Sequence, residues 1–470
     1  MTKQLFFDDM KLLRRENLKR NYGKPEALSV YSDGVSSTDY PEVFVFRLDD
    51  GRYRMIYAGK SVDGSYPHLK MFSAVSENGI DFVPEKLWEN PEEKGLMFSH
   101  EVMDIGNAEM GFIYEDSYCD KSERYKLLMF DAVFEEFDFH NDIYTSPDLL
   151  NWTKVEGVSW ADEAEPLVSA YYNKHKNCHV LAERPYWGTR RLGYKETSDW
   201  KTFTPWKNTL NMDSEDDVLA ELYGMYAFEY DGLYIGVPHI YRKHTPQRNA
   251  KYHDGIVDTQ LAVSYDGEVW NRSLRKSFFG DEKVMCKGKE YDPKLSWIFS
   301  CHKADNGDIL LYTAFSELEH GPAFRNPGAG KIMVTKLRND GFISLSTEDK
   351  EKEAVIATRE KLWHGGEFSV NLKAEKATLA VFYADDLNTL AFNKPYPGMT
   401  HEDCMEFSGD STNWIPQYKS GKTFDELKDK TVIFELKMQN GEVFSFCGNF
   451  TDIYNTQAAR YRKWGIMPTV

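Results

Sequence analysis

Apolar and polar residues alternate in short runs along most of this chain, and the runs recur as a unit. An apolar strand passes a Gly/Asp turn into a Tyr-rich strand. A third strand then leads into a turn of the Ser-x-Asp-Gly type followed by an aromatic residue. Alternation with period two, bounded by Gly, Asp and Asn, predicts strands, and its recurrence predicts a repeat architecture. The turn copies are Ser76 to Gly79 with Phe82, Ser146 to Asp148 with Trp152, Ser198-Asp199 with Phe203, Ser264 to Gly267 with Trp270, and Asn339 to Gly341 with Phe342. From Asn78 through Asp148, Asp199 and Asp266 to Asp340 the intervals are 70, 51, 67 and 74 residues. Each interval holds about four strands of ~5 to 6 residues plus loops. Middle strands recur at Gly51 to Met55, Arg124 to Leu128, Asn177 to Leu181, Gly232 to Gly236 and Gly307 to Leu311.

A four-stranded sheet cannot hide both faces alone, whereas radial stacking buries them and leaves only short edges. The repeat therefore predicts an all-β protein whose residues 1–343 form a five-bladed β-propeller. Helical periodicity is confined to Asp9 to Arg20, where Met10, Leu12, Leu13 and Leu18 share a stripe, so an α/β barrel is not indicated. After Gly341 the repeat stops. Runs such as Phe368 to Leu372, Ala377 to Tyr383, Thr431 to Leu436 and Val443 to Phe446 predict a β-sandwich over residues 344–470, with the charged stretch Glu348 to Glu353 as a linker.

Charge narrows the partners. The 57 basic and 75 acidic side chains leave a net charge of −18, which repels polyphosphates and makes nucleic acid an unsuitable partner. A neutral sugar fits this field better than an anionic one. No run of eighteen apolar residues and no basic-then-apolar leader occurs, so neither a membrane span nor a signal peptide is expected. The six cysteines (Cys119, Cys178, Cys286, Cys301, Cys404, Cys447) have no paired spacing. They read as reduced thiols of a cytoplasmic protein, with no metal and no cofactor expected. Phe, Tyr and Trp make up 14% of the chain. Most suit strand surfaces and core, and some suit sugar faces.

The acids carry the candidate chemistry. In a propeller the first strand of each blade lines the central channel, so residues at its start share one mouth. Asp39 lies 14 residues before Tyr53, Glu165 13 before Cys178 and Glu221 13 before Tyr234, in blades one, three and four. Blades two and five have no acid at that place. One acid ahead of a strand is ordinarily a turn cap; three at matched offsets favour function. Like charges a few ångströms apart raise one another's proton affinity, so one member can stay protonated while another is ionised. Glycosidic cleavage needs that split.

At these residues the chain resembles the five-bladed propeller glycosidases, which include arabinofuranosidases, xylosidases and invertase-like fructosidases. Asp39-Tyr40-Pro41-Glu42-Val43 with Gly51-Arg52-Tyr53 is similar to the first-blade opening of that superfamily. Glu165-Pro166 resembles its third-blade Asp-Pro, and Glu221 to Met225 with Gly232-Leu233-Tyr234 resembles the blade that carries the acid Glu. Over nearly its whole length the chain looks most like a bacterial group described as invertase-like. That likeness rests on Leu5 to Asp9, Arg124-Tyr125-Lys126, Glu221 to Met225, Gln260 to Trp270 and Gly341 to Leu345. The Trp-x-Asn-Asp-Pro, Arg-Asp-Pro and Glu-Cys elements of true invertases are absent, and Glu165 stands where the arabinofuranosidase type has Asp.

The resemblance implies a glycosidase acting on an oligosaccharide or glycoside, a neutral furanoside-type or similar short glycan, with Glu221 as proton donor, Asp39 as nucleophile or base, and Glu165 orienting Glu221. Arg184, Trp187, Arg190 and Arg191 offer fork donors and a ring for a sugar, or equally a surface ion-pair cluster. Tyr223, His239, His302 and His320 are further substrate-binding candidates, although a lone His is more often structural. Asp8 and Asp9 would reach the site if the N-terminal strand closed the last blade. The Ser-x-Asp-Gly turns are hairpin chemistry. Two rival functions remain: a glycoside phosphorylase with phosphate held by Arg184, Arg190, Arg191 and His239, and a sugar-binding propeller without catalysis.

Overall fold

The computed structural model describes residues 1–453 except 38–42, 66–67, 107, 134–137, 159–163, 186–189, 245–253, 325, 327 and 385–393. The protein divides into two compact units, Lys24–Arg338 and Met1–Gly23 together with Asn339–Val470.

The larger unit consists of antiparallel meanders in chain order. The first contains strands Val43–Arg47, Tyr53–Ser61 and Leu69–Ser76, flanked by shorter pieces. Four-stranded sheets follow, one running from Glu109–Glu115 to Thr153–Lys154 and one from Ala164–Asn173 to Lys207–Leu210. An eight-stranded sheet holds two more meanders, led by Ala220–Tyr230 and Leu295–Lys303 and joined through one parallel pairing, Val257 with Leu295. The last meander is completed by Glu26–Tyr31, an earlier strand that pairs with Gly330–Leu337. All five middle strands expected from the sequence are second strands of these meanders.

The leading strands meet. Phe44 contacts Phe112 at 5.2 Å and Phe299 at 6.0 Å, and Tyr226 contacts Phe112 and Phe299 at 6.4 and 6.3 Å. These rings come from four leading strands and form a closed cycle of edge and tilted contacts, the geometry aromatic quadrupoles favour. One cavity is lined by all five leading strands, at residues 45–46, 112–115, 170–172, 226–229 and 299–302.

Four of the repeated turns share one hydrogen-bonding scheme. Asn78, Asp148, Asp199 and Asp266 each accept, through one side-chain oxygen, the backbone N–H groups two and three residues on. This is the Asx turn that Asn and Asp adopt readily. The third copy uses Thr197 where the others use Ser. The fifth departs: Asp340 binds Lys3 Nζ at 2.7 Å and Ser445 Oγ at 2.6 Å. Here the chain leaves the repeat, and the carboxylate ties together strands of the smaller unit.

That unit takes the first 23 residues, which the repeat reading had assigned to the propeller. Thr2–Leu5 pairs with Thr431–Gly448, Leu12–Glu16 with Ala354–Thr358, and Leu18–Tyr22 with Ile343–Thr347. The helix expected over Asp9 to Arg20 is two strands linked at Asn17, whose φ is 53°. Met10 and Leu13 are exposed while Leu18 is buried, so no apolar stripe exists for a helix to bury. The charged stretch 348–353 is a turn between paired strands, held by Asn17 Nδ2 to the Asp349 carbonyl at 2.8 Å. Where the sequence suggests a two-sheet sandwich, the ladders join ten strands into one sheet. Its long members, Ser369–Tyr383 and Thr431–Gly448, pair with each other and with different partners along their length. Val432, Phe434, Leu436 and Met438 alternate into its core.

Candidate functional site

Glu165 and Glu221 begin neighbouring leading strands. Ser169 Oγ donates to the Met225 carbonyl at 2.7 Å. Because each Glu stands four residues before a member of that pair, the two lie at one end of the unit. Glu165 is further paired in register with Arg184, whose Nη1 donates to the Tyr223 carbonyl at 2.8 Å. Asp39 lies outside the described residues, as does Trp187; of Glu165 only the backbone is described.

Glu221 is buried and bound by two cations. Arg190 Nη1 reaches Oε2 at 2.7 Å and Lys243 Nζ reaches Oε1 at 2.7 Å. Register explains Lys243: Glu221 faces Tyr241 across the ladder, and the residue two further along returns to the same side. Burial alone would raise the Glu221 carboxyl, but hydrogen bonds and charge from Lys243 and Arg190 outweigh it and hold the group below the usual carboxylate range. Glu221 is therefore ionised at neutral pH. Among the described residues the partners of Glu221 are cations, which favour its charged form, whereas the sequence reading gives it a proton to donate.

Around this pair the side chains are tightly stacked. The Arg184 guanidinium lies 4.4 Å from the Tyr223 ring centroid, and Arg190 lies 5.4 and 5.5 Å from the rings of Tyr223 and Tyr241. Tyr223 Oη shares a 2.7 Å hydrogen bond with His320 Nε2, and the His320 ring packs 4.9 Å from that of Tyr241. Glu221, Arg184, Arg190, Tyr223 and His320 are thus one constellation. Arg191 lies over Trp206 instead, 5.3 Å from its ring.

Two histidines predicted at this end lie elsewhere. His239 is fully buried against Phe299, donates Nε2–H to the Ile298 carbonyl at 3.2 Å, and is pushed down to about 3 by burial. It is a neutral core residue. His302 donates Nε2–H to the Val45 carbonyl at 2.5 Å and lines the cavity beneath the aromatic cycle, at the far ends of the leading strands. Counting from each strand start could not show this, because His302 closes its strand rather than opening it. Asp9 is engaged within the smaller unit by Arg15 and Arg20.

Sequence reasoning missed Lys243 and Tyr241. Their signal was the cross-strand register of the meander, legible once its hairpin at Asp231-Gly232 is fixed. It also missed Asp258, a buried carboxyl pushed up to about 6 by burial despite Arg242 Nε at 2.9 Å. Asp258 is 1% exposed and pairs with Ile240, which itself faces Leu222, so it lies two strands out from Glu221 in the same meander.

No protein-family model matches the chain, and no curated protein matches it. Solved structures are similar over about two thirds of it. One belongs to the GH130 family of mannoside phosphorylases, described as containing glycoside hydrolases that target β-1,2 mannosidic linkages in Candida mannan. It is 14% identical, with 68% of this chain and 94% of that chain covered and a TM-score of 0.43. A glycosyl hydrolase from Bacteroides ovatus is 13% identical over 67% and 94%, with a TM-score of 0.40. An exo-1,5-α-L-arabinanase from a bovine ruminal metagenomic library is 14% identical over 65% and 95%, with a TM-score of 0.37.

Proposed function

We propose that the larger unit is a five-bladed β-propeller glycosidase that hydrolyses a short neutral glycan at the end where its leading strands begin. The observation that carries this reading is the buried, ionised Glu221, on a strand beside that of Glu165, within a shell of Arg184, Arg190, Lys243, Tyr223 and His320. A buried carboxylate with a shifted pKa and specific charge partners is a candidate for a functional site.

Glu221 works in its ionised form, as base toward water or as nucleophile at the anomeric carbon. Protonation of the leaving oxygen then falls to Asp39 or Glu165, so the roles inferred by resemblance are exchanged. Arg190 and Lys243 keep Glu221 charged, and their remaining N–H groups can donate to sugar hydroxyls. Tyr223 and His320 share a proton that can be offered to an oxygen of the substrate. Phosphorolysis loses one of its expected anchors, because His239 is enclosed in the core.

The test is a screen of aryl furanosides, aryl pyranosides and fructans with and without phosphate, followed by Glu221→Gln on any substrate turned over. The expected result is phosphate-independent release with kcat/KM lowered at least a hundredfold by Glu221→Gln. A folded Glu221→Gln protein with full turnover removes Glu221 from the chemistry.

A further inference from the structure

We propose that the unit holds a second, separate ligand site at the opposite end of its leading strands, shaped for one uncharged ring that carries hydroxyls. The cavity there measures about 270 Å³. At ~30 Å³ per water it has the room of about nine waters, and a cavity of roughly 150 Å³ already admits benzene. Each leading strand contributes residues from its later half, whereas Glu221 is the second residue of its strand. Between the two ends stands the closed cycle of Phe44, Phe112, Tyr226 and Phe299, so a ligand here arrives from the far side and does not compete for Glu221. The proposal is independent of the hydrolase reading.

The lining sets the chemistry of the ligand. Phe46, Phe112, Tyr172, Tyr226, Phe228 and Phe299 supply ring surface. Tyr118, 55% exposed, stacks on Tyr172 with centroids 3.5 Å apart at the rim. No Lys or Arg is among the described residues that line the space, which disfavours an anion. The two acids there are already neutralised: Arg124 sits 2.7 Å from Glu115, and Lys174 2.6 Å from Glu229. That disfavours a cation, while the carboxylates keep lone pairs that accept hydroxyl donors. Ring faces, acceptor oxygens at the edge and no net charge together suit an apolar-faced ring with donating hydroxyls, as in a monosaccharide or a phenol.

The experiment is ligand-observed saturation-transfer NMR and calorimetry on the full chain with D-xylose, L-arabinose, D-glucose and phenol as probes. Two variants alter the cavity: Ala170→Trp fills it from the third leading strand, and Tyr118→Ala removes its rim ring. Tyr223→Phe serves as the control at the other end. Binding of at least one probe is expected, weakened at least tenfold by Ala170→Trp and about two- to tenfold by Tyr118→Ala, and unchanged by Tyr223→Phe. A sugar response identifies a saccharide site and a phenol response an aromatic one. Should Ala170→Trp fail to fold, Tyr118→Ala decides, because its side chain is largely in solvent. Absence of binding by every probe overturns the proposal, as does binding that ignores both cavity variants or follows only Tyr223→Phe. Turnover in the substrate screen is a separate readout, so the hydrolase reading can stand or fall without this one.

Discussion

Removing one of the two cations on Glu221 is the sharpest way to ask what that carboxylate does. Lys243 and Arg190 each approach a different carboxylate oxygen at 2.7 Å, so neither dominates by distance, and both lower the pKa against burial. An opposite charge at such range typically depresses a carboxyl pKa by ~1 to 3 units. Lys243→Met, which keeps the aliphatic stem, should therefore raise the Glu221 pKa by about one unit. The profile of kcat/KM against pH reports groups of the free enzyme. If Glu221 acts ionised, its protonation cuts off activity on the acid side, and that limb should move up by about one pH unit in Lys243→Met. If Glu221 were instead the proton donor, its pKa would set the alkaline limb, and that limb would move up. An acid limb that stays in place, or a shifted alkaline limb alone, refutes the assignment made here.

Stability gives an independent handle. Glu221→Gln leaves two cations without their carboxylate; breaking a buried ion pair costs ~3 to 5 kcal/mol, and the partial exposure of Arg190 and Lys243, 20% and 14%, reduces this to about 2 to 3. Calorimetry at pH 7 should show the larger unit melting several degrees lower. Because the folded pKa of Glu221 lies below its unfolded value near 4.5, its contribution is present above that value and fades as pH falls through the folded one. The gap between wild type and Glu221→Gln should therefore narrow below about pH 4.5; an unchanged gap counts against the ion-pair account. Asp266→Ala removes the acceptor of the Glu268 and Val269 N–H groups and should cost ~1 to 2 kcal/mol, read by chemical denaturation. Deletion of residues 1–23 should destabilise or unfold the smaller unit, since it strips three strands from a ten-stranded sheet; limited proteolysis reads the result. Phe299→Ala, in the aromatic cycle, should cost ~3 to 5 kcal/mol in the same denaturation assay.

The repeat was legible because each copy solves the same local problem. Asn78, Asp148, Asp199 and Asp266 recur where a tight turn needs a side-chain acceptor for two successive N–H groups, and the strands between them alternate with the period of a sheet. What failed was the reading of both chain ends. Residues 1–23 contain a stripe that fits helical spacing as well as strand spacing, and only the partner strands, more than 300 residues away in sequence, decide between them. Asn339 to Phe342 do form a turn, as the local motif Asn-Asp-Gly implies, but the partners of the Asp340 carboxylate, Lys3 and Ser445, are distant in sequence. Long-range pairing leaves no mark in a local pattern.

At the site, Glu221 and its neighbouring strand were legible in the sequence, while the cations on Glu221 were not. Counting acids against strand starts found Glu221 and its neighbour strand, and the same count predicted mutual repulsion, a raised pKa and a proton held in reserve. Pairwise electrostatics depends on what lies within a few ångströms, and among the described residues Arg190 and Lys243 lie there. Arg190 comes from the stretch after the second strand of meander three, and Lys243 closes the second strand of meander four. Neither offset is counted by a rule that looks only at strand beginnings. The sign of the Glu221 shift therefore turns on Lys243 at the end of one second strand and on Arg190 in the stretch beyond another. A net charge of −18 conceals this, since an excess of acids over the whole surface says nothing about a site where two cations share one buried carboxylate.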